Sequence, residues 1–187
     1  MIVNNPRLAV RLSDQTEVGM SRLLRISLER RGVSCTAELL EKEAPRTCAA
    51  VWAALAEGPL GGDAQHAKYA RNEVYTMVPR FGGSGGAIGR ENTTVTPIPG
   101  DVCLFDFAGG MLDAAFKADQ GIDQAEGAID LAIFYGRNNL LINGDVGWVP
   151  GNVFASITDG LAGMAEACHD VWRSGSVGER LVYERHS

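Results

Sequence analysis

The stretch LLRISLERRGVSCTAEL, residues 23–39, decides the fold class. Leu24, Ile26 and Leu28 alternate with Arg25, Ser27 and Glu29. Beyond Arg31-Gly32, Val33, Cys35, Ala37 and Leu39 alternate with Ser34, Thr36 and Glu38. Successive side chains of an extended chain point to opposite faces, so a period of two on both sides of a glycine turn predicts an antiparallel hairpin with one apolar face. That face needs a second layer to cover it.

Working outward, the period changes directly after the hairpin. Ala44, Cys48, Val51, Trp52 and Leu55 share one face of a helix, with Pro45 suited to its first turn and Gly58 to its end, which predicts a helix over 45–56. Residues 59–71 read as a loop and 72–79 as a strand. FGGSGGAIG (81–89) reads as a flexible loop, and strand character returns over 93–96, in VCLFDF (102–107) and in IDLAIFYG (129–136). The Gly-, Ala- and Asp-rich segment 108–128 has room for a short helix. A second helix over 160–173 places Leu161, Met164, Ala165, Cys168, Val171 and Trp172 on one face, with Thr158 as its N-cap, and 180–184 supplies a last strand. About eight strands and two long helices without βαβ alternation predict a mainly β (α+β) fold, an antiparallel barrel carrying two principal helices.

Residues 1–21 read as an extension outside the core, and 22–187 as the domain. Leu8, Val10 and Leu12 alternate with Arg7, Ala9 and Arg11, so this extension can pair as a strand with a neighbouring edge, in this chain or in a second subunit. A homo-oligomer is therefore one expected state.

Composition narrows the partners. With 45% apolar and 21% charged residues, the 187-residue chain has ordinary globular composition and enough length for one buried core. Its net charge of −6 argues against nucleic acid and against an anionic membrane surface, both of which call for Lys and Arg in excess. No run reaches the roughly 18 apolar residues of a membrane helix, and the start MIVNNPRLAVRLSDQ lacks the pattern of a secretory leader, so the expectation is a cytoplasmic protein. Cys35, Cys48, Cys103 and Cys168 form no CxxC pair, and His66, His169 and His186 have no second ligand at metal spacing. Buried thiols, no metal and no cofactor are expected. The glycine-rich loop lacks both GxGxxG and a following Gly-Lys-Ser/Thr, so it is not a phosphate loop.

Four segments carry a family resemblance: EKEAPRTCAAVWAAL (41–55), IPGDVCLFDF (98–107), LAIFYG (131–136) and VPGNVFASI (149–157). The first is similar to the Pro-[Lys/Arg]-Thr opening of the first cyclophilin helix. Together they resemble a bacterial family, domain of unknown function 3830, over residues 22–184. The resemblance implies a cyclophilin-like closed antiparallel β-barrel. It does not extend to prolyl isomerase activity, because the Phe-His-Arg motif and its following Gln are missing. In the nearest stretch, YARNEVYTMVP (69–79), only Arg71 stands near the right place.

The candidate site follows from residue chemistry. His66 lies in the loop reading and titrates near neutrality, which suits a base or ligand-binding group. Glu73 and Tyr75 share one face of their strand. Glu91 and Asn92 begin the next, and two carboxylates near a His can divide acid and base roles. In the catalytic reading His66 is the base, Glu91 orients it and Arg71 holds a carboxylate, while Glu73, Asn92 and Tyr135 line the cleft. His66, Glu91 and Tyr135 are expected to converge on one concave surface. Trp52 and Trp172 read as core, and Trp148 as freer. Three functions fit. The first is binding of a small polar ligand in a barrel cleft, as accessory to a catabolic enzyme. The second is a hydrolase or isomerase using His66 and Glu91. The third is a structural module that forms oligomers.

Overall fold

The computed structural model describes residues 21–68, 70–82, 87–109, 127–143 and 147–186. The N-terminal extension up to residue 20, the body of the glycine-rich loop, and nearly all of the expected helix within 108–128 lie outside the described residues.

The opening hairpin forms as its alternation dictates. β1 (Leu23–Leu28) pairs antiparallel with β2 (Val33–Leu39), with Leu28 opposite Val33 and Leu24 opposite Ala37. This register puts Leu24, Ile26, Leu28, Cys35, Ala37 and Leu39 on one buried face. Helix α1 follows (Pro45–Glu57). The remaining strands are β3 (Leu60–Asp63), β4 (Gln65–His66), β5 (Glu73–Pro79), β6 (Thr93–Thr94), β7 (Asp101–Ala108), β8 (Gly127–Phe134), β9 (Ile142–Asn143), β10 (Gly147–Trp148), β11 (Gly151–Asp159) and β12 (Arg180–His186). Helix α2 (Leu161–Ser174) lies between β11 and β12. The main sheet runs β3-β12-β1-β2-β11-β7-β8-β5-β4, with β6 on β11 and a separate β9–β10 ladder. Every pairing is antiparallel, in keeping with the absence of βαβ units.

The sheet corrects two expectations. The segment read as a loop over 59–71 contains β3 and β4, and the closed barrel is not formed as a ladder. β3 pairs with β12 and β4 pairs with β5, so the two ends of the sheet are consecutive pieces of one segment, interrupted at Ala64. Ala64 N–H donates instead to the carbonyl of Glu179, which turns the chain from one partner strand to the other. β3 still lies against β5: a Cβ on Gly62 would stand 3.0 Å from Thr76 Oγ1. The ends approach closely without a hydrogen-bonded closure.

The main core lies between the inner sheet face and the helices. Cys48, Val51 and Leu55 of α1 and Met164, Cys168 and Val171 of α2 pack with Ile129, Leu131, Ile133 and Phe154 of the sheet. Helix α2 starts at Gly160, not on a Thr158 cap. Gly160 has φ +78°, and a Cβ there would stand 3.0 Å from Ser34 O, so helix and hairpin meet where only glycine fits. A second cluster, including Cys103, Phe105, Ala132, Phe134 and Val153, covers the other face of β7, β8 and β11. This explains the apolar run of β8, broken only by Asp130, which is buried along its whole length on both faces. All four cysteines are buried and free. No helix of the described residues is long and apolar enough to cross a membrane.

Candidate functional site

The β4–β5–β8 ladder sets the site by strand alternation. His66 stands opposite Val74, whose side chain belongs to the inner core. Tyr135 follows the last residue of β8, and its N–H donates to Asn72 O at 3.0 Å. The two side chains meet. His66 Nδ1–H donates to Ala67 O at 3.0 Å, which fixes the tautomer and leaves Nε2 to accept the Tyr135 hydroxyl proton at 2.6 Å. The ring also packs on Trp172, with centroids 4.8 Å apart. Burial lowers the His66 pKa below 6.5, and His169 acts in the same direction against the raising effect of the Ala67 carbonyl. His66 is thus a neutral, twice-bonded imidazole.

Beside it opens a cleft of about 370 Å³ lined by Asp63, Gln65, His66, Ser176, Val177 and Gly178. Its far wall, 176–178, is held by Glu179, whose side chain is fully buried. Glu179 accepts from the N–H groups of Arg30 (2.8 Å) and Arg180 (3.1 Å) and from Arg31 Nη1 (2.8 Å). Arg31 also donates to Asp170 Oδ2 at 3.1 and 2.9 Å. Arg31 is therefore an internal clamp between hairpin and helix α2.

The opposite face of the same strands has a different character. Glu73 and Asp130 are both buried, Asp130 standing opposite Met77 on one side and Phe105 on the other. Burial pushes Glu73 up to about 8. Burial and the neighbouring Glu73 charge push Asp130 well above the carboxylate range. Among the described residues Asp130 Oδ1 has no hydrogen-bond partner. On this face Tyr75 donates its hydroxyl proton to Gln65 Oε1 at 3.0 Å.

Glu91 stands elsewhere, at the start of α1. Its carboxylate accepts from the N–H groups of Arg46 (3.2 Å) and Thr47 (2.8 Å), from Thr47 Oγ1 (2.9 Å) and from Arg46 Nε (3.1 Å). Helix α1 has Ala44 at its N-cap and no acid in its first turn, so this distant carboxylate does the capping. Burial works to raise the Glu91 carboxyl, but the four hydrogen bonds outweigh it and hold it below its ordinary value. Asn92 adopts φ +45° and donates to Val153 O at 2.8 Å. Arg71 is exposed at φ +70°. Of the sequence candidates, the structure brings His66 and Tyr135 into contact and sends the Glu73 side chain to the opposite face. Glu91 and Asn92 lie by α1 and β11, and both His66 nitrogens take partners other than Glu91.

Sequence reasoning missed Asp130, Glu179, Gln65 and Trp172. Asp130 carried a signal, as the one charge in IDLAIFYG. Trp172 was assigned to the core by its helical spacing, yet it is 59% exposed. It sits in the last turn of α2 next to the buried Val171, at the flank of the face that packs on the core. Among the described residues no group of three His, Cys, Asp or Glu side chains is placed to hold a metal ion.

The chain's fold is similar to that of McbB, solved in complex with tryptophan. The TM-score is 0.54 at 17% identity, over 88% of this chain and 45% of that one. At this identity the likeness concerns the fold alone, and this chain spans less than half the length of McbB. No curated protein matches the sequence. A family model does match over residues 26–183, nearly the whole described domain, and on that extent the chain belongs to the family described as protein of unknown function (DUF3830).

Proposed function

We propose that this domain binds a small polar ligand in the cleft beside His66. The observation that carries the reading is an open cleft of about 370 Å³ meeting a neutral imidazole with both nitrogens already bonded. An imidazole fixed in this way is a pre-ordered wall, and the exposed ring of Trp172 beside it supplies apolar area at little entropic cost. The occurrence of a similar fold in a complex with tryptophan is in keeping with a small-ligand role.

A second reading makes the domain a hydrolase or isomerase with His66 as the base. The 2.6 Å contact with Tyr135 favours it, since a substrate hydroxyl or amide could take the place of the Tyr135 hydroxyl at Nε2. In that reading the Ala67 carbonyl orients the ring. Tyr135 keeps its own proton, its pKa pushed up to about 12 by burial.

A thermal-shift panel of small amines, amides and acids tests the binding reading, with wild type beside His66→Ala and Trp172→Ala. The expected result is at least one compound that raises the melting temperature of wild type and of neither variant. A panel without stabilising compounds, or stabilisation that survives in both variants, contradicts it. Turnover of a stabilising compound that is lost in His66→Ala would select the catalytic reading.

A further inference from the structure

We infer that the apolar patch formed by Ile98, Leu140, Ile142 and Trp148 is the seat of the chain's own N-terminal segment, with Leu8, Val10 and Leu12 laid against it. None of these patch residues lines the His66 cleft, so the inference stands independently of the ligand reading.

Six large apolar side chains are exposed among the described residues, and four of them gather here. Ile142 stands opposite Trp148 in the β9–β10 ladder, so their side chains share a face. Leu140 and Ile142 flank Leu141, which is buried. Ile98 joins them because Asn139 Nδ2 donates to Pro97 O at 2.9 Å, which ties the chain at residue 98 to the chain at residue 140. The frame is rigid. Asn139 is buried and accepts from the Asn72 N–H at 3.1 Å. Leu141 N–H donates to Val95 O at 2.8 Å, and Val149 N–H donates to Leu141 O at 3.1 Å. A single exposed apolar residue is ordinary, but a group of aliphatic side chains around an exposed tryptophan on a fixed frame has the composition of a contact surface.

The topology starts the N-terminal segment beside this patch. The described residues begin at Ser21, and Leu39 N–H donates to Arg22 O at 3.0 Å, so the segment leaves at the Leu39 end of β2. β11 pairs with β2 where Ala155 stands opposite Leu39, and with β6 at Asn152 and Gly151. β7 holds the other edge of β11, so β6 continues the sheet where β2 stops. Val95, whose carbonyl holds Leu141, follows β6 directly. The step from Ala155 to Gly151 is about 13 Å. The chain between Leu12 and Arg22 spans up to about 33 Å when extended, so its reach is ample. Exposed Val177 lies at the other end of the hairpin, where Glu29 N–H donates to Arg180 O beyond Leu28. The segment has the matching chemistry. Leu8, Val10 and Leu12 alternate with Arg7, Ala9 and Arg11, which gives one apolar face with side chains about 7 Å apart and one solvated face. A second copy presenting its own patch would bring together two bodies that each carry the whole −6 charge, because Arg7 and Arg11 balance Asp14 and Glu17 within the extension. Residues 7–12 approach with two positive charges instead.

Disulfide trapping in the full chain tests this, because the four native thiols are buried. Val10→Cys is combined with Ile142→Cys in the patch or with Ala53→Cys on α1. Ala53 is exposed and follows Trp52, over whose ring Arg22 stands at 5.3 Å, so position 53 is close to where the segment leaves. A free segment would couple with position 53 at least as fast as with position 142. A seated one is expected to couple with position 142 about tenfold faster, within a single chain. Adding Trp148→Ala, with the fold followed by circular dichroism, is expected to erase that preference. In the otherwise unmodified chain, Val10→Asp is expected to shift the Trp148 indole N–H resonance and leave that of Trp172 in place. Equal or slower coupling at 142, a preference that survives Trp148→Ala, or an unmoved Trp148 resonance would each overturn the inference. Products linked at 142 that are found only as dimers would also overturn it, by making a second copy the occupant.

Discussion

The two faces of the β4–β5–β8 ladder set the same kinds of residue in opposite states. On the inner side, at the cleft, His66 has a partner on each nitrogen, and burial outweighs the Ala67 carbonyl to favour the neutral form. On the outer side Asp130 is shut in beside Met77 and Phe105, and Glu73 beside Phe134. Their carboxyls are pushed up, and Asp130 Oδ1 goes without a partner among the described residues. Glu73 lies next to Val74, the residue opposite His66, so one step along a strand separates a prepared, open site from a closed pair of acids. Titratable chemistry near a cleft and titratable chemistry inside a sheet are different things even at adjacent positions. Partner count and water access decide which is which.

The largest expected effect falls on the cleft wall. Glu179→Ala removes the acceptor of three donors and leaves Arg31 with Asp170 as its one carboxylate partner, so a loss of about 3–5 kcal/mol in unfolding free energy is expected by urea denaturation. A change within 0.5 kcal/mol, roughly what a surface position shows, would mean that the wall is held by something else.

The acid pair should show itself as pH dependence. Glu73 has a folded pKa of about 8 against an ordinary 4.5, so the native state keeps a proton that the unfolded chain loses above 4.5. Stability is then full below 4.5, falls as pH rises toward 8, and levels off above it, by up to about 5 kcal/mol. Glu73→Gln should match wild type at pH 4 and exceed it at pH 8. Asp130 is shifted in the same direction, so the flattest curve belongs to the double variant with Asp130→Asn. A wild type equally stable at pH 4.5 and 8 would contradict the closed pair.

The smallest effect on stability is expected at the contact that best marks the cleft. Tyr135→Phe removes the donor that favours neutral His66, at a cost of about 1 kcal/mol. The His66 pKa, followed by histidine NMR, should rise toward 6.5. An unchanged His66 titration would show that the Tyr135 hydroxyl does not hold the ring.

The contrast between the faces also explains what the sequence made legible. The 23–39 hairpin and both helices were readable because their apolar periods are long and each buries one face. The β3–β4 segment was not, because Gly61 and Gly62 have no side chains with which to show a period of two, and the chain changes partner at Ala64. The closed barrel was what the family resemblance implied, and the ladder is open. His66 and Tyr135 could be placed together because one lies just past a helix and the other ends a strand at a glycine. Glu91 could not be separated from them, since nothing local to residues 90–92 reveals that α1 lacks its own cap. Trp172 shows the limit of helical spacing, which places a residue near the buried face but does not tell the flank of that face from its centre.

The most direct test of the account is a chemical-shift map of the full chain titrated with a compound that stabilises it in the thermal-shift panel. The account predicts perturbations at Gln65, His66, Val177 and the Trp172 indole, with Met77 and Phe105 beside the acid pair unmoved. Perturbations centred on Met77 and Phe105, or scattered with none at His66 and Trp172, would contradict it.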